Sequence, residues 1–292
     1  IKIWHFISAH NSVKLLFENM RKPFLKWAGG KTKVLQHILP LIGNVDHFIE
    51  PFAGSMSVGL NVPAKVCVLN DVNGHIIQLY QHLIGEGEDF INYCESFFVD
   101  GNVSDLYYER RTLFNETEDS RERSALFVYL NRHGFNGLTR YNKSGEYNVP
   151  FGKYKKPYFP RDEMMEFRYN MQRKMLLRMT AFDFADPVLY KNLSAGSVVY
   201  CDPPYIPLNE TSNFTAYSTD GFTNNDQIRL KQLALNLRRQ GAKVIISNHD
   251  VPAARELYSD ASRIIEINVS RSVSAKGGSR GKVGEILAVY EP

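Results

Sequence analysis

Three short apolar runs in this chain each stop at an acid, and that arrangement limits the fold more than anything else in the sequence. Val45–Glu50 (VDHFIE) halts at Pro51 and passes into small residues: Ala53, Gly54, Ser55, Ser57 and Gly59. Lys65–Leu69 (KVCVL) ends at Asn70-Asp71. Ser197–Cys201 (SVVYC) runs straight into Asp202-Pro203-Pro204-Tyr205. Brief apolar segments bounded by turn residues read as buried strands. After the second run, Ile76, Ile77, Tyr80, Leu83 and Ile84 share one face of a helix. This is the first half of a nucleotide-binding α/β sheet, which holds its ligands at the carboxyl ends of the strands.

The rest of the chain extends the alternation. Residues 86–132 read as helix almost throughout, with Ala125, Leu126, Tyr129 and Leu130 at amphipathic spacing. Regularity ends at Gly134. Up to Pro160 the chain mixes glycines, prolines and aromatics with basic residues, and a hairpin is predicted around Lys143–Glu146. Helix resumes over 161–174, followed by strands at 176–181 and 197–201, a polar loop at 206–222 and a helix over 225–240. Further strands follow at 242–247, 263–269 and 285–290. The pattern predicts an α/β, doubly wound sheet carrying one insertion. The boundaries are 23–100 and 170–292 for the sheet domain, 101–169 for the insertion and 1–22 for an N-terminal extension with no assigned role.

Composition removes several function classes. The chain has 292 residues, 43% of them apolar, enough for a real core. It has no run of the ~18 apolar residues that a spanning helix needs, so no membrane role is expected. Cys67, Cys94 and Cys201 stand far apart, which argues against a disulfide scaffold and suits a reducing cytoplasm. The histidines form no HxH or HxxxH pair, so no metal is expected. Net charge is only +4, but it is unevenly spread. Arg132, Arg140, Lys143, Lys153, Lys155, Lys156 and Arg161 face Glu146 alone, and Arg271, Lys276, Arg280 and Lys282 face no acid within their segment. Two basic blocks on a near-neutral chain suggest a groove for a polyanion, although either block alone also suits a solvated face.

Residues 24–33, FLKWAGGKTK, end like a phosphate-binding P-loop. The match fails: Leu25 stands where the motif needs its first glycine, and Pro23 interrupts the strand that should precede it.

Asp202-Pro203-Pro204-Tyr205 carries the chemistry. The prolines stiffen the backbone and lack N–H groups. Asp202 supplies one acceptor oxygen, the Pro203 carbonyl a second, and Tyr205 a flat ring beside both. A bland alternative is a proline-rich turn. The chemical reading is a grip on the amino group of adenine or cytosine, with the base taken out of its stack. Two accepted hydrogen bonds localise the nitrogen lone pair for attack on a methyl donor, with no covalent enzyme intermediate. The donor would be S-adenosylmethionine. Glu50-Pro51-Phe52-Ala53-Gly54-Ser55 lets backbone approach a ligand, Asp71 stands where an acid bonds ribose hydroxyls, and Asp183-Phe184 follows the strand at 176–181, placed to bond and pack an adenine.

With these motifs in order, the chain resembles the DNA adenine-N6 methyltransferases of the Dam type, in the α arrangement. The resemblance runs from Pro23 to the C-terminus through FLKWAGGK (24–31), EPFAGS (50–55), NRHGFNGLTRYN (131–142), NVPFGKYKKPYF (148–159), DPPY (202–205), NFTAY (213–217) and SNHD (247–250). It implies a Rossmann-like, mostly parallel methyltransferase sheet with an inserted helical and hairpin target-recognition domain. It also implies that Trp27, Ala28 and Lys31 line the S-adenosylmethionine pocket, and that Lys26 reaches toward DNA. Phe135 would enter the base stack, Asn136 bond the orphaned thymine, and Leu138 and Arg140 read neighbouring pairs. Those residue types suit the tasks: an aromatic wedge fills the gap left by a base, and arginine bonds guanine O6 and N7. Asn148, Pro150, Lys153, Tyr154 and Lys155 would be phosphate or base contacts. Asn213, in the loop over the flipped base, and Arg271, Lys276 and Arg280 would clamp phosphates. Ser57 departs from the family, where a glycine is frequent.

The implied activity is methylation of adenine N6 in double-stranded DNA, most simply within GATC, by a bacterial or phage-encoded cytoplasmic protein with no obligate protein partner. Cytosine-N4 methylation and a catalytically silent DNA-binding regulator are the alternatives.

Overall fold

The computed structural model describes residues 20–208, 221–268 and 284–292. A 3-10 turn at Lys31–Lys33 leads into α1 (Leu35–Ile42). The sheet then begins with β1 (His47–Glu50) and β2 (Val66–Asn70). Next come α2 (Gly74–Glu86), α3 (Glu88–Ser96), α4 (Ser104–Glu116) and α5 (Ser120–His133). A loop-rich stretch follows, then α6 (Arg161–Gln172), β3 (Leu176–Thr180) and β4 (Val198–Cys201). The remainder is α7 (Asn224–Arg239), β5 (Lys243–His249), α8 (Pro252–Leu257), β6 (Arg263–Asn268) and β7 (Gly284–Tyr290).

The sheet order is β3-β2-β1-β4-β5-β7-β6. β1 through β5 pair in parallel, whereas β7 runs antiparallel between β5 and β6. β1 and β4 are buried along their whole length, as central strands of a doubly wound sheet must be. Strand order reverses between them, and their register pairs only Phe48 with Val198 and Ile49 with Val199. Glu50 and Asp202 thus lie beyond the last β1–β4 pair, at the switch point where such sheets form a crevice.

Local sequence accounts for several boundaries. Asp119 caps α5 by accepting the N–H groups of Arg121 and Glu122. Thr223 and Asp226 form a reciprocal capping box at α7. The helical stretch expected over 86–132 is broken in three places. Gly87, at φ +63°, ends α2, and its missing Cβ leaves room for the Arg168 guanidinium. Residues 97–103 and 117–119 are the other breaks. Two helices were not expected, α1 and α8. The hairpin is present, closed by an antiparallel bridge between Tyr141 and Tyr147. Asn142 Oδ1 accepts the N–H groups of Ser144 and Glu146 in its turn.

One apolar core joins the sheet to the helices between β2 and β3. It holds Phe48 and Leu69 of the strands together with Tyr80, Tyr107, Phe114, Phe127 and Tyr147. α5 runs through its centre, and every residue from Ser124 to His133 is buried. On the other side of the sheet, Val199 and Ile246 pack with Leu230, Ala234 and Leu237 of α7. Among the described residues no helix is long and apolar enough to cross a membrane.

Candidate active site

The Asp202–Tyr205 turn leaves β4 at the switch point and is held by side chains on α7 and β5. Gln227 of α7 donates from Nε2 to the Pro204 carbonyl at 2.8 Å. Asn248 of β5 accepts the Ile206 N–H on Oδ1 at 2.9 Å. Gln227 Oε1 in turn accepts from Tyr258 (3.0 Å) and from Asn248 Nδ2 (3.3 Å). His249 Nδ1 meets the Ile206 carbonyl at 2.7 Å. Gln227, Asn248 and Tyr258 are buried, so each unmade bond would leave a desolvated polar group. Gln227 and Tyr258 were invisible to sequence reading. Asn248 lies in the SNHD motif, and its signal was a polar residue closing an apolar strand.

The lysine of the Gly-Gly-Lys segment has a partner that sequence reading did not foresee. Lys31 Nζ lies 2.9 Å from Asp202 Oδ2, donates to the Gly29 carbonyl at 2.6 Å and sits 4.9 Å from the centre of the Tyr205 ring. Lys31 is buried, whereas the Asp202 side chain keeps 21% of its surface exposed. Among the described residues Asp202 Oδ1 has no hydrogen-bond partner. Burial pushes the Asp202 carboxyl above its ordinary range, and Lys31 pulls it partly back. Tyr205 donates to Glu285 Oε2 at 3.2 Å, and its ring meets that of His249 edge-on.

At the ends of β1 and β2 the expected cofactor residues gather. Asp71 Oδ2 accepts the Gly54 N–H at 2.8 Å and its Oδ1 the Asn73 N–H at 2.9 Å. Gly54 has φ +47°, and a Cβ there would fall 2.7 Å from Trp27 Nε1, so only glycine fits between the turn and that ring. Ser57 is buried, and its Oγ pairs with Ser55 Oγ at 3.0 Å. Met56 carries the strain of this turn at φ +58°. Glu50 is turned inward: Oε2 accepts the Gly59 N–H at 2.9 Å, and burial raises its carboxyl well above the usual range. Ala28 is exposed. Asn70, fully buried, ties the strand-end turns together by donating to the Pro51 and Phe182 carbonyls while accepting the Phe182 N–H.

Phe52 stacks on Phe184 with ring centres 5.2 Å apart, and Phe222 packs against both. Asp183 is exposed and pairs with Arg229, whose guanidinium also lies 4.8 Å from the Phe184 ring centre. Phe222 and Arg229 lacked any motif that would have marked them. Among the described residues no His, Cys, Asp and Glu side chains form a group able to hold a metal ion.

The basic insertion meets the 24–31 segment directly. Asn131 of α5 accepts the Lys26 N–H at 2.9 Å and donates to the Lys26 carbonyl at 2.8 Å. The same amide reaches the Gly137 carbonyl at 3.4 Å, and Arg132 donates to the Phe24 carbonyl. Gly137 is packed so closely that a Cβ would lie 2.4 Å from the Lys26 chain. Lys26 Nζ ends 4.3 Å from the Tyr154 ring centre. Beyond this root, Phe135 is 46% exposed. Asn136, also exposed, adopts φ +54°, a conformation asparagine tolerates. Leu138 is half-buried, Arg140 and Pro150 are exposed, and Lys153 and Lys155 point outward on the following loop. Lys153 holds φ +54°. Arg140 lies opposite Asn148 and bonds to it. Asn213, Arg271, Lys276 and Arg280 lie outside the described residues.

Residues 27–273 match the family model described as D12 class N6 adenine-specific DNA methyltransferase. The chain is 42% identical over 272 residues to the DNA adenine methylase of Escherichia coli strain K12, covering 93% of this chain and 96% of that protein. Against the DNA adenine methylase of Vibrio cholerae (El Tor Inaba N16961) it is 39% identical over 274 residues, 93% of this chain and 97% of the relative. The enzyme of the same name from Serratia marcescens is 41% identical over 271 residues, 92% and 98% of the two chains. A family match spanning both the strand-end carboxylate turn and the basic insertion shows that the chain belongs to the D12 class of N6 adenine-specific DNA methyltransferases.

Proposed function

We propose that this enzyme transfers a methyl group from S-adenosylmethionine to N6 of an adenine turned out of double-stranded DNA, within GATC. The carrying observation is Asp202: a strand-end carboxylate with one oxygen held by Lys31 and the other, Oδ1, buried and unbonded among the described residues. A buried acceptor without a donor is costly, and an adenine N6–H supplies that donor. The Pro203 carbonyl accepts the second N6–H in this reading, and Gln227 Nε2 holds the adjoining Pro204 carbonyl at 2.8 Å. Tyr205 provides the ring for stacking. The two accepted bonds draw the nitrogen lone pair out of conjugation, and the rate enhancement is positional and electrostatic.

The carboxylates at the ends of β1, β2 and β4 suit a cationic donor. Burial raises the Glu50, Asp71 and Asp202 carboxyls, and their mutual repulsion raises Glu50 further. A positive ligand relieves that repulsion. When bound, S-adenosylmethionine supplies an electrophilic methyl on a sulfonium. Trp27 and Gly54 form the cradle for it, with Ala28, Lys31, Pro51 and Ser55 around it. Asp71 keeps acceptor capacity for ribose hydroxyls, and the Phe52–Phe184 pair with Asp183 flanks an adenine site. In this reading Lys31 shares the donor pocket and also screens Asp202.

Residues 101–169 form the DNA-reading part in this proposal. Phe135 enters the base stack, Asn136 bonds the orphaned thymine, and Leu138 and Arg140 read neighbouring pairs. Lys26, Pro150, Lys153, Tyr154 and Lys155 bind the duplex around them, and Asn213, Arg271, Lys276 and Arg280 complete the phosphate contacts. The GATC assignment rests on the resemblance of 131–159 to the Dam type. A bacterial cytoplasm is the setting this activity implies.

The test is incorporation of tritiated methyl groups from S-adenosylmethionine into GATC and scrambled duplexes, followed by nucleoside analysis. N6-methyladenine in the GATC duplex alone is the expected result. Label in the scrambled duplex alone overturns the target sequence, and no label in either overturns the donor or the transfer.

A further inference from the structure

We propose that Asn148 is a specificity-determining residue that acts by aiming Arg140, not by binding DNA itself. The proposal rests on the reading of Arg140 as the guanine contact.

The hairpin brings the two residues face to face. Tyr141 and Tyr147 bridge antiparallel, and one step outward the Asn148 N–H donates to the Arg140 carbonyl at 3.1 Å. The Arg140 side chain folds back across the same pair. Its Nε donates to Asn148 Oδ1 at 2.7 Å and its Nη2 to the Asn148 carbonyl at 3.0 Å. Nε–H and one Nη2–H form one edge of the planar guanidinium, and Asn148 occupies that edge with two acceptors. The donors left over are those of the outer edge, on Nη1 and Nη2. That edge is the fork able to bond guanine O6 and N7 together.

The arrangement has an entropic logic. A free exposed arginine samples many rotamers, and ordering it on DNA costs part of the contact energy. Here the hairpin has ordered it in advance. Arg140 is exposed and makes no ion pair among the described residues, so its charge remains available while its direction is set. Asn148, half-buried, spends its side-chain oxygen on Arg140. A side chain committed in this way contributes register rather than a phosphate bond.

The two roles for Asn148 separate cleanly in experiment. The probes are a GATC duplex and duplexes carrying 7-deazaguanine at one guanine at a time, which removes N7 but keeps base pairing. The full-length Arg140→Ala, Asn148→Ala and Asn148→Asp variants and the Arg140→Ala/Asn148→Ala pair are compared by kcat/KM and by the salt dependence of binding. Arg140→Ala should abolish discrimination against 7-deazaguanine at one position. Asn148→Ala should lower discrimination at that same position by about tenfold, and the double variant should be no worse than Arg140→Ala alone. Asn148→Asp keeps the acceptor and should retain discrimination.

The proposal fails if Asn148→Ala weakens every duplex equally and flattens the salt slope by about one, as a lost phosphate contact does. It also fails if Asn148→Asp loses DNA binding through charge repulsion. Should Arg140→Ala leave discrimination intact at every guanine, the base-reading assignment of Arg140 itself falls, a result distinct from either failure of Asn148.

Discussion

The strand-end turn and the recognition hairpin both rest on side chains that hold other groups in place, but they do so on opposite sides of the solvent boundary. Behind Asp202–Tyr205 the supporting groups are Gln227, Asn248 and Tyr258, all buried and bonded to one another. In the hairpin the supports are Asn142 and Asn148, which lie at or near the surface and act through local bonds. The contrast fits the proposed function. Drawing electron density onto an amine needs acceptors that water does not screen. Reading a base edge needs donors that water can leave at little cost. Burial therefore strengthens the first site and would disable the second.

Substitutions test how far that contrast holds, starting with the largest effect. Asp202→Ala removes the buried acceptor and should lower single-turnover methyl transfer by roughly 10²–10³-fold or more, while DNA affinity measured by fluorescence anisotropy stays near wild type. A comparable loss of DNA affinity would show that the turn also anchors the duplex. Gln227→Leu should come next. It leaves the Pro204 carbonyl unbonded, so kcat should fall with KM for DNA unchanged, and stability should drop by about 1–3 kcal/mol in a urea titration. An unchanged kcat beside that stability loss would make Gln227 a core residue with no part in aiming the turn.

Lys31→Met probes the electrostatics of the buried corner. Asp202 is the stronger acceptor when ionised, so kcat should fall as pH drops through its pKa. Burial raises that pKa and Lys31 lowers it. Without the lysine the acid limb of a kcat–pH profile, taken at saturating cofactor, should therefore move to higher pH. An unmoved limb would separate the lysine from the carboxylate's ionisation. On the exposed side, Lys153→Ala should have the smallest effect: a few-fold weaker binding to every duplex alike and a salt slope shallower by about one. A sequence-dependent loss would move Lys153 from the phosphate contacts to the base contacts.

The sequence announced the strands because their apolar runs end abruptly at Pro51, Asp71 and Asp202. It announced the hairpin because the stretch beyond Gly134 has lost every hydrophobic period. It did not announce α1, whose Pro40 argues against helix, or the short α8. Within the site, residues inside motifs were legible and their bonds were not. Lys31 was singled out within its glycine segment, yet its pairing with Asp202 spans most of the chain and no local pattern encodes it. Gln227 is one polar position in an amphipathic helix, and nothing in the spacing of α7 distinguishes it from its solvent-facing neighbours. Long-range polar contacts become readable only once the sheet has set which strand ends meet.

The amide of Asn131, clasping the peptide of Lys26 on both sides and touching Gly137, also sets where this enzyme can be re-engineered. A chimera that imports a foreign reading loop must keep the asparagine and the glycine at its root, because they dovetail with a segment more than a hundred residues upstream. On the proposed function, the transplantable cassette begins after Gly137, and new target sequences are open to such an enzyme by variation distal to that joint.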